Sequence, residues 1–193
     1  MKITQKVKKI LSGYESDNPG TKANLARILS SGKLGGTGKM LILPVDQGFE
    51  HGPARSFAPN PDAYDPHYHW KLAIDAGLSA FAAPLGLIEA GADTFAGSIP
   101  TILKINSANS LNGETEAPSQ AITSNVSDAI RLGCSAIGYT IYPGSINAYE
   151  MIIILSPFCT FLAAGPFNVI SPLSFSPLIT YVFSLSPLLI FTT

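Results

Sequence analysis

The chain has 193 residues, 46% of them apolar, and a formal net charge of −1 from 12 Lys+Arg against 13 Asp+Glu. That length suits one domain with a real core. The near-zero charge gives no general pull toward nucleic acid or anionic membrane, and the apolar content with two cysteines excludes a disordered, collagen-like or disulfide-scaffold protein. Only 13% of residues are charged, and all of them fall before Met151.

The opening Met1-Lys2-Ile3-Thr4-Gln5-Lys6 leads into an amphipathic stretch and not into the apolar core of a secretory signal. Ile3, Val7, Ile10 and Leu11 form one stripe of a short surface helix. Thr21 is expected to cap a second helix carrying Leu25, Ile28 and Leu29, which stops near Gly32. Gly35-Gly36-Thr37-Gly38 fits neither phosphate-binding glycine pattern and reads as a turn.

Met40–Val45 is a continuous apolar run of the kind found in strands covered on both faces. It ends in Asp46-Gln47-Gly48-Phe49-Glu50-His51-Gly52-Pro53. Asp65-Pro66 reads as a cap followed by Pro at the first helical position, and that helix carries Trp70, Leu72, Ala73 and Ala76. Ser79–Pro84 is the second strand, a short helix lies near Leu87–Ala92, and Thr101–Asn106 is the third strand. A polar loop crosses Ser107–Gln120. A helix near Val126–Leu132 precedes the fourth strand, Ser135–Tyr142. Repeated βα units of this kind predict an α/β fold with a parallel sheet. Four strands in ~105 residues is the density of a (β/α)8 TIM barrel, so residues 1–150 read as a partial barrel of about the first four βα units.

In parallel α/β folds, sites form at the carboxyl ends of strands. Here these ends carry Asp46-Gln47, Pro84 and Gly86, Lys104 and Asn106, and Tyr142-Pro143-Gly144-Ser145. Asp46 is either a turn or capping aspartate, or a part-buried carboxylate that needs a partner. Lys104, flanked by Leu103 and Ile105, is either ion-paired or poised for amine chemistry. The strands of Asp46 and Lys104 lie two apart, so the two side chains could pair across the barrel mouth. His51, His67 and His69 with Glu50 lack a metal-ligand spacing, so no metal is expected. His67 and His69 should point to different faces of their helix. Cys134 reads as a small core residue.

Three motifs together carry a family likeness: Leu43–Pro53, Ile102-Leu103-Lys104-Ile105-Asn106, and Gly138–Ser145. In order and spacing they resemble the archaeal-type class I fructose-bisphosphate aldolases, and Ile3–Gly38 resembles the bacterial branch. The likeness covers roughly residues 1–150. It implies a (β/α)8 barrel and a cytoplasmic, metal-free and cofactor-free lyase of glycolysis. Such an enzyme cleaves fructose 1,6-bisphosphate to dihydroxyacetone phosphate and glyceraldehyde 3-phosphate through a lysine Schiff base. It also implies a homo-oligomer for the full-length family. Asp46 occupies the position of the catalytic first-strand aspartate, and Gln47, His51, Lys104 and Asn106 are expected to bind the phosphorylated sugar. The family's Schiff-base lysine on strand six and its tyrosine acid after strand five have no counterpart, and Tyr139 and Tyr142 belong to strand four. Lys104 is then the one candidate for a substitute amine. The alternatives are a related Schiff-base aldolase or transaldolase on another phosphorylated sugar, and a non-catalytic or membrane-tethered remnant.

Residues 151–193 carry no charge and five prolines, which would break any long helix. Met151–Ile170 is uncharged over a membrane-spanning length, but Pro157, Gly165 and Pro166 interrupt it and flanking Lys/Arg are missing. The favoured expectation is an aberrant or disordered terminus. A half barrel also predicts open edges on the first and fourth strands, exposed apolar surface, and poor solubility as a lone monomer.

Overall fold

A computed structural model describes residues 3–48, 50–108 and 116–154, together with the backbone of 179–184. In chain order the elements are α1 (Gln5–Leu11), α2 (Pro19–Leu29), β1 (Ile42–Pro44), α3 (Pro53–Phe57), α4 (Pro66–Asp75), β2 (Ala80–Pro84) and α5 (Leu85–Ala92). Then follow β3 (Thr101–Lys104), β4 (Asn106–Ser107), β5 (Ala121–Ile122), α6 (Val126–Arg131), β6 (Ala136–Ile141), a helix α7 over 148–154, and β7 (Ile179–Ser184).

The main sheet has the order β1-β2-β3-β6-β7. Its first four strands are parallel, with Ile42 beside Ala80, Ala82 beside Ile102, and Ile102 beside Ala136. These are the four strands expected from the sequence, joined by helical crossovers as in a partial TIM barrel. Because side chains alternate across a strand, this register sorts them into two faces. Ala80, Ile102 and Ala136 share one face and pack with Val7, Leu25, Ile28 and Leu29. Alanines at two strand starts leave room for α1 and α2 to close the amino-terminal end of this face. Burying each of the leucine or isoleucine side chains of α2 contributes roughly 1.5–3 kcal/mol. Phe81, Ala83, Leu103, Ile137 and Tyr139 point the other way and form the larger core with Trp70, Ile88 and Ala129 from the crossover helices.

The helix ends follow local chemistry. Thr4 accepts a hydrogen bond from the Val7 amide to cap α1. The second helix starts earlier than expected: Asn18, not Thr21, is its cap, with Pro19 in the first turn. Asn18 Oδ1 accepts from Thr21 N at 2.9 Å, and an Asn–Pro pair is a stronger start signal than an isolated Thr. Asp65 caps α4 as expected, accepting from His67 N. His67 and His69 do face different ways: His67 Nε2 meets Ala90 O and the buried His69 Nε2 meets Ala63 O. Asn125 and Asp128 form a reciprocal capping box at α6.

Three further features differ from expectation. Pro53–Phe57 and a 3-10 turn at Pro61–Tyr64 occupy what read as connection. The polar loop after the third strand is flanked by a two-stranded antiparallel ribbon, β4 with β5, while Ile105 keeps the main-sheet pairing by donating its N–H to Gly138 O. The edge of β6 is not open: Ile179–Ser184 lies antiparallel along Ala136–Ile141, satisfying backbone groups that an unpaired edge would leave bare. Exposed apolar side chains do occur beyond β6, at Ile146 (87% exposed), Tyr149 and Ile153. Apart from Met151–Ile154 and the backbone of 179–184, residues 151–193 lie outside the described residues, and so does the reading of them as aberrant or membrane-anchoring. Among the described residues no helix is long and apolar enough to cross a membrane.

Candidate active site

The register fixes where Lys104 goes. It ends β3 on the face that α1 and α2 close at the opposite end of the sheet, so its side chain enters from the carboxyl rim. Asp46 follows β1 immediately, and the preceding Val45 still donates to Ala82 O at 2.9 Å as a strand residue would. Lys104 Nζ lies 3.1 Å from Asp46 Oδ1, the pairing that strand spacing suggested. It lies closer still, 2.6 Å, to Glu50 Oε2.

Glu50 was missed as a partner. In the sequence it is one acid in a glycine-rich loop, and no periodicity assigns its direction. The loop folds back through a bridge between Gln47 and Glu50. His51 and Gly52 adopt left-handed backbone at φ 61° and 58°; for the histidine this is a strained conformation that the surroundings must hold. Ser56 Oγ donates to His51 O at 2.6 Å. The Glu50 side chain is 7% exposed, and Oε2 also accepts the Ala108 N–H at 3.0 Å. Its other oxygen lies 3.1 Å from His51 Nε2. A buried carboxylate with this many donors is compensated.

The other candidate residues divide. Gln47 lines an open cavity of about 410 Å³ with Tyr64, Leu87, Ser107 and Thr123, at the carboxyl ends of β1 to β3. The His51 side chain is 56% exposed beside Glu50. Asn106 is fully buried; it donates to Thr140 O and accepts from Thr140 N, each at 2.8 Å, which ties the β4 start to β6. Tyr142 was set aside in the sequence as a strand residue. It sits just past β6, and its hydroxyl accepts a hydrogen bond from Gln120 Nε2 at 2.8 Å. Burial raises the pKa of this phenol above its ordinary value near 10.0, and the charges of Glu50 and Asp46 push the same way against Lys104 and Gln120. Tyr142 therefore remains a protonated donor at neutral pH.

Asp46, Glu50 and His51 present ligand atoms within 4.8 Å of one another. No helical or loop spacing in the sequence announced this cluster. The Lys104 ammonium already contacts both carboxylates, so it is the cation against which they are balanced.

A parallel βα sheet with its charged cluster gathered on the carboxyl rim defines a β/α-barrel-type protein with a candidate site on that rim. Comparison with known proteins agrees. Residues 40–156 match the model of the DeoC/LacD family aldolases, and the chain belongs to that family. It is 43% identical over 130 residues to a probable class 1 fructose-bisphosphate aldolase of Chlamydia trachomatis, covering 67% of this chain and 37% of that protein. It is 48% identical over 115 residues to the class 1 fructose-bisphosphate aldolase of Thermoproteus tenax, covering 59% of this chain and 41% of the relative. The chain thus spans well under half the length of these curated relatives. A solved Schiff-base-forming fructose-1,6-bisphosphate aldolase superposes with a TM-score of 0.58 at 39% identity, over 66% of this chain and 49% of that one. An aldolase structure from Slackia heliotrinireducens, at 18% identity and TM-score 0.63, shares the fold.

Proposed function

We propose that residues 1–150 supply the first half of a Schiff-base fructose-1,6-bisphosphate aldolase site, with the uncharged segment 151–193 lying almost wholly beyond the family match, which ends at residue 156. The observation that carries this reading is the Lys104 ammonium between Asp46 and Glu50 at the strand carboxyl ends. The identities to class 1 aldolases support it. The substrate is a phosphorylated ketose, and the setting is the cytoplasm, where such metabolites occur.

In this chemistry an amine adds to the substrate ketone and loses water, giving an iminium. A base then takes the C4 hydroxyl proton, the C3–C4 bond breaks, and its electrons flow into the iminium to give an enamine and a free aldehyde. Asp46, whose side chain is 38% exposed, is placed to accept hydrogen bonds from sugar hydroxyls. Lys104 donates to substrate oxygen and holds Asp46 in position. Lys104 is the last lysine in the sequence, and its two carboxylate partners make it an electrostatic group and not the nucleophile. Asn106 positions the rim from behind.

Titration of the purified chain with fructose 1,6-bisphosphate tests the reading. Binding that falls at least tenfold in Asp46→Ala supports it, and the absence of binding by the unsubstituted chain overturns it. Borohydride reduction with dihydroxyacetone phosphate tests the role of Lys104: the expected result is an unmodified Lys104 peptide, and an adduct there makes Lys104 the nucleophile. The family model takes its name from other aldolases as well, which favours a second reading, an aldolase acting on a different phosphorylated sugar. Tighter binding of deoxyribose 5-phosphate than of the bisphosphate would select it.

A further inference from the structure

Next to the Asp46–Glu50–Lys104 cluster lies a second polar pair that the aldolase reading leaves without a task. Gln120 is 5% exposed. Its amide nitrogen donates to the Tyr142 hydroxyl at 2.8 Å. Its carbonyl oxygen Oε1 is buried and has no hydrogen-bond partner. An orphaned buried acceptor of this kind keeps its desolvation cost with nothing to offset it, and such groups in native proteins call for an explanation.

The position is held firmly. Just upstream, Pro118 O accepts from Ser145 Oγ and Ala117 O from Asn147 Nδ2. Just downstream, Thr123 N donates to Ile105 O at 2.9 Å, and Ala121 pairs with Ser107 in the β4–β5 ribbon. Both flanks of Gln120 are therefore tied to the carboxyl rim, at the ends of β3 and β6. Lys104 lies beside Gly138 in the parallel register, so Tyr142 follows β6 on the same rim. Because Gln120 donates the hydrogen bond between the two, the phenol proton of Tyr142 is directed elsewhere.

We propose that Gln120 and Tyr142 form a hydroxyl-recognition subsite of this rim, in which Gln120 Oε1 accepts from, and the Tyr142 hydroxyl donates to, a single hydroxyl group of a polyol phosphate. The pairing rests on the chemistry of the alcohol, which carries one donor and two acceptor lone pairs. One bound hydroxyl satisfies the orphaned carbonyl and the free phenol proton together. A site built to hydrogen-bond a hydroxyl rejects the analogue lacking it far more strongly than an apolar pocket rejects an added one. The pair therefore selects for a substituted sugar carbon and against its deoxy counterpart. It remains competent at neutral pH because burial keeps the phenol protonated.

This inference rests on the proposed aldolase site, and its test separates the two. Full-length chain, Gln120→Met and Tyr142→Phe are titrated with fructose 1,6-bisphosphate and with its 3-, 4- and 5-deoxy analogues, with circular dichroism as the check on folding. The unsubstituted chain is expected to bind the parent sugar about tenfold more tightly than either variant. For one deoxy analogue, and one only, the difference between unsubstituted chain and Tyr142→Phe should vanish, which identifies the hydroxyl. Folded variants that bind the parent sugar as tightly as the unsubstituted chain overturn the subsite and leave the aldolase reading standing. So does an equal loss across all analogues, which marks a merely structural pair. An unsubstituted chain that binds none of these sugars overturns the aldolase reading and the subsite with it. If Gln120→Met fails to fold, Tyr142→Phe alone decides between these outcomes.

Discussion

Lys104 and Glu50 are 54 residues apart in the chain, yet Nζ and Oε2 meet at 2.6 Å, with both side chains 7% exposed. A pair this buried is costly to break from one side, because the survivor is left as an uncompensated charge. Lys104→Met strands Glu50 and should cost about 3–5 kcal/mol in urea unfolding. Glu50→Gln should cost less, since Lys104 keeps the half-exposed Asp46. The double variant Glu50→Leu/Lys104→Met should recover most of the loss. A Lys104→Met cost below about 1 kcal/mol, the level of an exposed pair, would show that this contact does not hold the loop.

Asn106 makes its own stability prediction. Its amide gives one hydrogen bond to, and takes one from, the backbone of Thr140. Asn106→Leu leaves a buried N–H and C=O unpaired and should cost roughly 1–3 kcal/mol. Thermal unfolding checks this, and faster amide exchange at Thr140 should accompany it.

Gly91 on α5 faces Trp70 so closely that a Cβ there would lie 2.3 Å from Trp70 Nε1. Trp70 is 2% exposed and donates to Leu87 O at 2.9 Å, so it cannot withdraw freely. Gly91→Ala should destabilise by about 1–3 kcal/mol through overpacking. Trp70 is the single tryptophan, so its fluorescence reports the displacement directly.

Cys134 is buried, and burial raises its thiol above the ordinary value near 9.0, opposed by a hydrogen bond with Thr101. The folded chain holds this proton more tightly than the unfolded chain does. The associated stability is complete below about pH 9 and is lost as pH rises through the folded value. In a Cys159→Ser background, Cys134 should resist alkylation at pH 8 and react at once in denaturant. Rapid reaction of the folded chain would contradict the burial.

The apolar side chains beyond β6 bear on solubility. Tyr149 is 81% and Ile153 66% exposed. Replacing both with lysine should change unfolding free energy by no more than about 0.5 kcal/mol per site. Light scattering should show reduced self-association.

Much of the fold was legible because its signals are local. Asp65-Pro66 marked the start of α4, and the apolar runs ending at Pro84 and Lys104 marked β2 and β3. The pairing of Asp46 with Lys104 was legible because each follows or ends a strand, and strand order alone brought them within reach. Glu50, Gln120 and the β4–β5 ribbon were not legible. Each depends on how an irregular loop returns to the sheet, and no hydrophobic period governs a loop of this kind. The start of α2 was misplaced for a smaller reason, since Thr21 and Asn18 are both plausible caps and the choice turned on Pro19.

Chain chemistry by itself therefore determined the βα alternation, the four parallel strands and the two ionic residues at their ends, since apolar period and capping act over a few residues. Tertiary structure alone decided which carboxylate grips Lys104, which amide braces the rim, and which acceptor is left open. Those outcomes depend on contacts across 54 residues for Lys104 with Glu50, 34 for Asn106 with Thr140 and 22 for Gln120 with Tyr142, distances over which only packing carries information.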